Sequence, residues 1–360
     1  MKICYVSALP KTQSGGPKHS VPKQVNAQAK YDEVLWINVT PWGVDNSEVK
    51  CRYENDLTQI IKYIKNERVE LVVFEDVHYF LFYKIAMRLR KMDVPYVIVP
   101  RGSLTKSALK LKWLKKKVAN IVFFNRYIHN ALAIEYLTEI EAQNSGTKWN
   151  KKFIVVPNGA DRKDCTARMP KSFQNELKGI FIGRINQYHK GIDLFLDACD
   201  SLRDKIIERN CRIDFYGPSH TDELTAIQNR IKEIGLADRI HVYKEVHGED
   251  KDLLLRDSDF FILTSRFEGL PMGLLEALSY GLPSIVTHET NIGEKICRAG
   301  AGFSTPCTVD GIIDSLSQVL CLTCNQYCEM SKKALLFAKE YDWDTIAKKA
   351  HEQYMNLIGE

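Results

Sequence analysis

Residues 260–278 read Phe260-Phe261-Ile262-Leu263-Thr264-Ser265-Arg266-Phe267-Glu268-Gly269-Leu270-Pro271-Met272-Gly273-Leu274-Leu275-Glu276-Ala277-Leu278. Four consecutive apolar residues without polar alternation suit a strand buried on both faces. The Gly-containing loop that follows leads to Pro271. Proline suits the first turn of a helix, where its missing amide hydrogen is one the helix would leave unpaired anyway. Backbone N–H groups exposed at such a terminus are a ready site for phosphate. Glu268 precedes the helix and Glu276 lies within it, so eight helical steps place them roughly 12 Å apart. That is wider than the roughly 5–9.5 Å of a hydrolase carboxylate pair. The two carboxylates therefore suit different parts of one long ligand, a sugar hydroxyl and a ribose hydroxyl. Either Glu taken alone reads as a solvated residue beside a core helix.

The same strand–loop–helix unit recurs outward from this segment. Apolar runs at Ile3 to Val6, Val34 to Val39, Leu71 to Phe74, Val94 to Val99, Ile121 to Phe124 and Phe153 to Val156 are spaced by segments of helical length. After Pro157-Asn158-Gly159 and a polar stretch, the alternation restarts at Gly179 to Ile182, Arg212 to Tyr216, Ile240 to Tyr243, Phe260 to Leu263 and Pro283 to Val286. Continuous apolar strands alternating with helices predict parallel sheets covered on both faces. Two successive sets predict two Rossmann-like halves with a boundary near residues 157–175. A length of 360 residues, 45% of them hydrophobic, supports two domains of ordinary size. In the last segment Ile346, Ala347, Ala350, Tyr354 and Leu357 recur at helical spacing, which predicts an amphipathic helix packed on another surface. In doubly wound sheets ligands bind outside the carboxyl ends of the strands, so a cleft between the two halves is the expected place for chemistry.

Several function classes lose their support. No Gly-x-Gly-x-x-Gly follows the first strand, and no Gly-x-x-x-x-Gly-Lys-Ser/Thr occurs. The ten cysteines are dispersed over a long chain that has little need of disulfides, which suggests a reduced, cytoplasmic protein. Cys321, Cys324 and Cys328 are closely spaced but lack a second tight pair to complete four zinc ligands, so one helix face is the simpler reading. The first residues are too short in their apolar run for a signal peptide, and no stretch approaches 18 apolar residues. The expectation is a protein at most peripheral to a membrane.

A second segment carries further chemistry: Phe181-Ile182-Gly183-Arg184-Ile185-Asn186-Gln187-Tyr188-His189-Lys190-Gly191-Ile192-Asp193. Arg184 and Lys190 fall in a loop between a strand and a helix, where two cations could meet a diphosphate. Singly, each is an ordinary surface charge. With the helix start at Gly269 to Gly273, they make a candidate pyrophosphate cradle.

These motifs resemble glycosyltransferase family 4. The resemblance is carried by Gly183-Arg184 with Lys190-Gly191, and by Glu268-Gly269-Leu270-Pro271 with Glu276 and Gly281-Leu282-Pro283. Weaker matches are Val156-Pro157-Asn158-Gly159, Gly15-Gly16 and Tyr341-Asp342-Trp343. The resemblance implies the two-domain GT-B fold. An acceptor-binding domain would span 1–160, a nucleotide-sugar-binding domain 161–340, and a terminal helix over 341–360 would return to the first domain. It also implies retaining transfer of a hexose from a nucleotide diphosphate sugar, with UDP expected, to a lipid-linked saccharide in bacterial surface polysaccharide synthesis.

By the same resemblance, Glu268, Arg184 and Lys190 would be catalytic, the two cations neutralising the leaving diphosphate. Donor binding would involve Gly15, Gly16, Arg184, Lys190, Glu268, Gly269, Leu270 and Pro271, with Glu276 on the ribose. No metal and no other cofactor is implied. Asp257-Ser258-Asp259 and Asp342-Trp343-Asp344 spell Asp-x-Asp, but one flanks a buried strand and the other precedes a helix. A GT-B phosphorylase, a sugar-nucleotide epimerase and a non-enzymatic nucleotide-sugar binder are the alternatives.

One departure concerns the acceptor side. Many relatives have Pro-His-Gly after the fourth strand, where this chain has Pro100-Arg101-Gly102. Arginine cannot serve as a base at neutral pH, so Arg101 would act by charge or orientation, or simply cap a loop. His78 is a second acceptor-side candidate, although a lone His at a strand end is commonly structural. Charge is also split along the chain. Residues 1–150 carry 23 Lys and Arg against 14 Asp and Glu, a net +9, and residues 151–360 carry 27 against 31, a net −4. The excess concentrates at Lys106, Lys110, Lys112, Lys115, Lys116 and Lys117, interleaved with Leu109, Leu111, Trp113 and Leu114. This pattern suits either an anionic membrane surface or a solvated helix face. No nucleic-acid-binding signature accompanies it.

Overall fold

The computed structural model describes residues 1–11, 16–43, 47–105, 123–146, 148–161, 163 and 175–359. Gly15 and the lysines between 106 and 117 lie outside the described residues. The chain divides into two compact units, Met1–Gly159 with Trp343–Glu360, and Ala160–Asp342.

The first unit runs β1 (Lys2–Ser7), α1 (Gly16–Gln28), β2 (Glu33–Asn38), β3 (Cys51–Tyr53), α2 (Leu57–Asn66), β4 (Leu71–Phe74), α3 (Phe80–Leu89), β5 (Tyr96–Ile98), α4 (Asn125–His129), β6 (Ala133–Tyr136), α5 (Glu139–Ser145) and β7 (Phe153–Val155). The second runs β8 (Leu177–Ile182), α6 (Ile192–Ser201), α7 (Arg203–Glu208), β9 (Cys211–Tyr216), α8 (Thr221–Glu233), β10 (Ile240–Tyr243), α9 (Gly248–Asp257), β11 (Phe260–Leu263), α10 (Met272–Ser279), β12 (Ser284–Thr287), α11 (Gly293–Ala299), β13 (Gly302–Thr305), α12 (Val309–Leu320) and α13 (Cys324–Lys339). The last helix, α14 (Trp343–Gly359), belongs to the first unit.

Among the described residues the strands form two parallel sheets, ordered β3-β2-β1-β4-β5-β6-β7 and β10-β9-β8-β11-β12-β13. In both, strand order reverses beside the first strand, at β1/β4 and at β8/β11. Loops leaving the two strands at such a point diverge to opposite faces and leave room for a ligand. Every residue of β4, β11 and β12 is buried, as continuous apolar runs require.

Three strands escape the apolar-run reading. β3 and β13 are short edge strands that mix polar and apolar residues, so their sequences show no run. β6, Ala133-Ile134-Glu135-Tyr136, is wholly buried yet carries a carboxyl group. Conversely, the strand expected at Ile121 to Phe124 is corrected where it is described. Phe123 and Phe124 lie in a helical turn that leads into α4. Their rings pack edge-on against α3 and its preceding loop, Phe123 on Phe80 and Phe124 on His78, instead of joining the sheet.

A polar line holds the first unit together beneath its apolar core. Ser20, Gln24 and Gln28 are buried at i, i+4 and i+8 on one face of α1. Ser20 and Gln24 accept hydrogen bonds from Arg101 (3.1 and 2.7 Å), Gln24 donates to Glu135 (3.4 Å), and Gln28 donates to Asp32 (2.7 Å). From α14, Tyr354 donates to Glu135 and His351 Nδ1 lies 3.0 Å from Asp32. The terminal helix is therefore held by polar contacts as well as by buried Ile346, Ala347, Ala350 and Leu357.

Burial raises the Glu135 carboxyl to about 8, against an ordinary 4.5. Its folded-state value exceeds its unfolded one, so the folded protein binds this proton more tightly. The corresponding stability is fully present below pH 4.5 and is lost as pH climbs to about 8. The Glu135→Gln variant, which keeps the shape without the ionisation, should lack this loss. Urea unfolding at pH 5, 7 and 8.5 should show it outlasting the parent at pH 8.5 by a few kcal/mol. Parallel stability profiles for the two proteins would contradict a buried neutral carboxyl.

Candidate active site

The second unit builds its site from two loops at the carboxyl edge, where β8 and β11 lie side by side. The loop after β8 curls back on itself. Asn186 Oδ1 accepts from the His189 amide at 2.7 Å, and the Asn186 carbonyl accepts from the Lys190 amide at 3.0 Å. Gly191 ends the loop at φ 62°, and a Cβ there would stand 2.0 Å from the Thr264 carbonyl oxygen. Only glycine permits both this left-handed backbone and this approach. Thr264, at the end of β11, donates from its hydroxyl to the carbonyls of Lys190 and Gly191, both at 3.2 Å. Arg266 adds a two-pronged ion pair to Asp193 (2.7 Å on each oxygen) and stacks over the Tyr188 ring at 4.3 Å. The two loops behave as one body because backbone and side chains bind them at several points.

Within this frame the ammonium of Lys190 pairs with Glu268, whose Oε1 also accepts from the Ser265 hydroxyl at 2.6 Å. Both side chains are largely buried, 13% and 11% exposed, and each supplies the other's opposite charge. Arg184 is exposed, and among the described residues its guanidinium has no hydrogen-bond or ion-pair partner. The His189 ring stacks on Phe267 with centroids 4.1 Å apart and lies 2.8 Å from the Phe267 carbonyl, so Nε2 carries the proton. Burial first, and the Lys190 charge second, depress its pKa below the ordinary imidazole value. His189 is thus neutral at pH 7, and the positive charge of this edge comes from arginine and lysine.

Helix α10 starts at the same edge. Pro271 is its N-cap, one position earlier than the first helical turn expected for it, and no side chain caps the helix. The amides of Met272, Gly273 and Leu274 have no partner within the helix; the first intrahelical bond runs from Leu275 to the Pro271 carbonyl at 3.3 Å. Gly273 brings this terminus against the sheet, since a Cβ there would lie 2.9 Å from the Ile182 carbonyl of β8. Gly269 faces open space instead, with nothing within 4 Å of where a Cβ would be.

Glu276, within α10, accepts from Lys251 of α9 at 2.8 Å. Glu268 lies outside the helix, so the 12 Å helical count between the two carboxylates does not apply. The structure instead gives each its own cation. Leu270 is buried, leaving only its backbone for a ligand.

The remaining sequence candidates lie elsewhere. Gly16 begins α1 with open space around it. Arg101, at φ 47°, directs its guanidinium to Glu75 (2.7 Å), Asn158 (3.0 Å), Ser20 and Gln24, all in the first unit. Its side chain is 8% exposed, and it orders the loop after β5 from within. Burial raises the Glu75 carboxyl above its ordinary value, an effect the Arg101 charge opposes. His78 packs edge-on against Phe124 at 5.3 Å. Asp259 accepts from the Lys178 amide and Asp257 pairs with the Lys178 ammonium, both at 2.8 Å, at the edge of the sheet opposite the site. Asp344 accepts from Lys30 and Tyr31, each at 3.0 Å. Among the described residues no three His, Cys, Asp or Glu side chains converge as metal ligands.

Sequence reasoning missed a third loop, after β12. Thr287 donates from its hydroxyl to the Ser265 carbonyl at 2.6 Å, the Glu289 carbonyl accepts from the Glu268 amide at 3.1 Å, and Asn291 donates from its side-chain amide to the carbonyls of Glu268 (2.6 Å) and Gly269 (3.1 Å). Asn291 itself sits at φ 61°, a conformation asparagine tolerates better than most residues. The available signal was position alone, directly after a buried strand on the same edge.

Two parallel doubly wound sheets, with an uncapped helix start and basic loop at a switch point, define an α/β protein suited to phosphorylated ligands. The model of the family described as glycosyl transferases group 1 matches residues 167–349, and the chain belongs to that family. Mannosylfructose-phosphate synthase of Agrobacterium fabrum is 32% identical over 149 residues, 38% of this chain and 33% of the relative. The match thus spans about a third of that relative's length. Anabaena HepE, solved in complex with UDP and glucose, covers 99% of this chain and 100% of its own at TM-score 0.74 and 15% identity. WaaG, a glycosyltransferase involved in lipopolysaccharide biosynthesis, covers 98% and 99% at TM-score 0.68 and 14% identity. The fold is that of the GT-B glycosyltransferases.

The role of Asn291 is testable by stability. Asn291→Gly keeps the backbone but removes both hydrogen bonds, and should lower unfolding free energy by about 1–3 kcal/mol. Asn291→Ala should lose about 1 kcal/mol more through the left-handed backbone. Equal urea midpoints for all three proteins would refute this anchoring.

Proposed function

We propose that the protein is a retaining glycosyltransferase that moves a hexosyl group from a UDP-sugar to a lipid-linked saccharide in the synthesis of a bacterial surface polysaccharide. The observation that carries the donor assignment is the exposed Arg184, whose guanidinium has no partner among the described residues, on the same sheet edge as the uncapped start of α10. Fixed dipoles and a cation on one sheet edge can stabilise a departing diphosphate without reorganising in the reaction. Lys190, held by Glu268 in the free protein, supplies a second cation once a phosphate oxygen competes for it. Glu268 is then released toward the hydroxyls of the donor sugar. Lys251 orients the Glu276 carboxylate through Oε2, which leaves Oε1 to accept from a ribose hydroxyl.

The choice of UDP draws on the UDP complex of HepE, and the polysaccharide setting on the printed role of WaaG. The lipid carrier draws on the basic sequence between residues 106 and 117, and places the enzyme at the cytoplasmic face of a membrane. Among the described residues no helix is long and apolar enough to cross one. Metal-independent transfer is part of the proposal, since the charge of the leaving group would be met by arginine, lysine and backbone amides.

A thermal-shift panel of UDP-, GDP- and ADP-sugars tests the donor. Saturation at about 100 times Kd stabilises by about 2.7 kcal/mol, so Tm should rise by a few degrees with UDP-sugars and stay flat with the others. Arg184→Ala should lower kcat/KM roughly 100- to 1,000-fold at unchanged Tm of the free protein. The product anomer, read by NMR, should match that of the donor. A flat panel would overturn the donor site, an inverted anomer the retaining mechanism, and nucleotide release only with a soluble sugar phosphate the lipid-linked acceptor.

A further inference from the structure

Between Val77 and Ile134 the sequence holds twelve Lys and Arg and one carboxylate, Asp93. Six of the twelve are the lysines outside the described residues, and Arg101 is internal. The other five, Lys84, Arg88, Arg90, Lys91 and Arg126, are exposed on α3, the turn after it and α4. None of these five forms an ion pair among the described residues. Several cations elsewhere on the surface are paired. Arg230 binds Asp197 and Asp200, Arg266 binds Asp193, and Lys2 binds Glu33 and Glu67. A surface with five exposed cations and, among the described residues, no ion-pair partner attracts an anionic one.

The apolar groups on this face are the second observation. Phe80 is 47% exposed, and its ring meets Phe123 at 5.1 Å and Tyr83 at 6.0 Å. The Lys84 ammonium stands 4.8 Å from the Phe80 ring centre. Below this cluster Tyr83, Met87, Arg90, Lys91 and Arg126 line an open recess of about 460 Å³. The recess therefore offers three cationic heads around an aromatic and thioether floor. An exposed ring bordered by cations is the arrangement of an interfacial helix, whose rings enter the headgroup boundary while the cations meet lipid phosphates. Single-stranded nucleic acid also binds cations with stacked rings, so an oligonucleotide is one arm of the test.

We infer that the α3/α4 face of the first unit docks on an anionic lipid bilayer, with Phe80 entering the headgroup layer and the Arg90–Lys91–Arg126 recess holding one lipid phosphate. The inference rests on the lipid-acceptor reading for its purpose, and on the unpaired cations and exposed ring for its existence. It assigns docking to a surface separate from the lysine-rich sequence 106–117.

Vesicle co-sedimentation of the full chain tests it, using phosphatidylcholine alone and phosphatidylcholine with 30% phosphatidylglycerol, at 0.15 M salt. The protein should pellet with the anionic vesicles only. The triple variant Arg90→Ser, Lys91→Ser, Arg126→Ser should bind them roughly 100-fold more weakly, about fivefold per charge removed. Phe80→Ser should weaken binding severalfold and, unlike the charge variant, should do so equally at high salt. Both variants should keep the parent's circular dichroism and its donor thermal shift, which separates failure of docking from failure of the donor reading.

A protein in which only the six lysines are neutralised should retain binding that the triple substitution then abolishes. The inference is overturned if the triple variant binds like the parent or if the six lysines account for all binding. Equal pelleting with neutral vesicles would also overturn it, as would displacement of the protein from vesicles by millimolar inorganic phosphate at constant ionic strength. Binding of an oligonucleotide with no affinity for anionic vesicles would overturn it in favour of nucleic acid.

Discussion

Backbone contact at the carboxyl edge of β8 is the constraint from which the candidate site follows. Gly191 lies against the Thr264 carbonyl and Gly273 against the Ile182 carbonyl, so two loops and a helix start meet where side chains would hold them apart. That closeness brings Lys190 to Glu268 and aims the free amides of α10 at the same edge as Arg184. It also explains why glycines punctuate both motifs: Gly191 and Gly273 are required by neighbouring backbone, whereas a Cβ on Gly269 would find nothing within 4 Å, which leaves space that a ligand can fill. The parallel strand order supplies the location, since β8/β11 is the point at which the strand order of the second sheet reverses.

The first unit solves a different problem with different means. Its sheet buries Glu75, Glu135 and Glu141, and each is met by a specific donor: Arg101, Tyr354 and the Gly102 amide respectively. Removing a partner from such a network would leave a buried carboxyl unsatisfied, which is far costlier than losing an exposed pair. Arg101 is therefore an internal brace of the loop after β5. The exposed cations of α3, the turn after it and α4 form the contrast within the same unit, because they are accessible and, among the described residues, without an ion-pair partner.

Most strands were legible in the sequence because parallel strands covered on both faces need unbroken apolar runs. β4, β10 and β11 fall on the expected residues, and the motifs at 183–191 and 268–276 lie at strand ends as anticipated. The failures share a cause. Glu135 hides β6 because a carboxylate in an apolar run looks excluded from a core, and only its tertiary surroundings make a neutral, hydrogen-bonded carboxyl tolerable. Phe123 and Phe124 look like strand residues because aromatic runs suit strands, yet they find ring partners on α3 and in the loop before it. Asn291 carries no motif, and nothing local reveals that its amide reaches two carbonyls some twenty residues earlier.

Local sequence determined what depends on near neighbours: apolar periodicity, the glycine and proline punctuation of the loops, and the presence of cations and carboxylates beside one another. Tertiary structure decided the pairing of those charges. Lys190 with Glu268, Glu276 with Lys251 and Arg101 with Glu75 are contacts across 78, 25 and 26 positions of sequence, and Arg184 has none among the described residues. Which cation stays free to meet a ligand is set by distances between elements, and the order of residues along a chain does not encode those distances until the sheet brings the elements together.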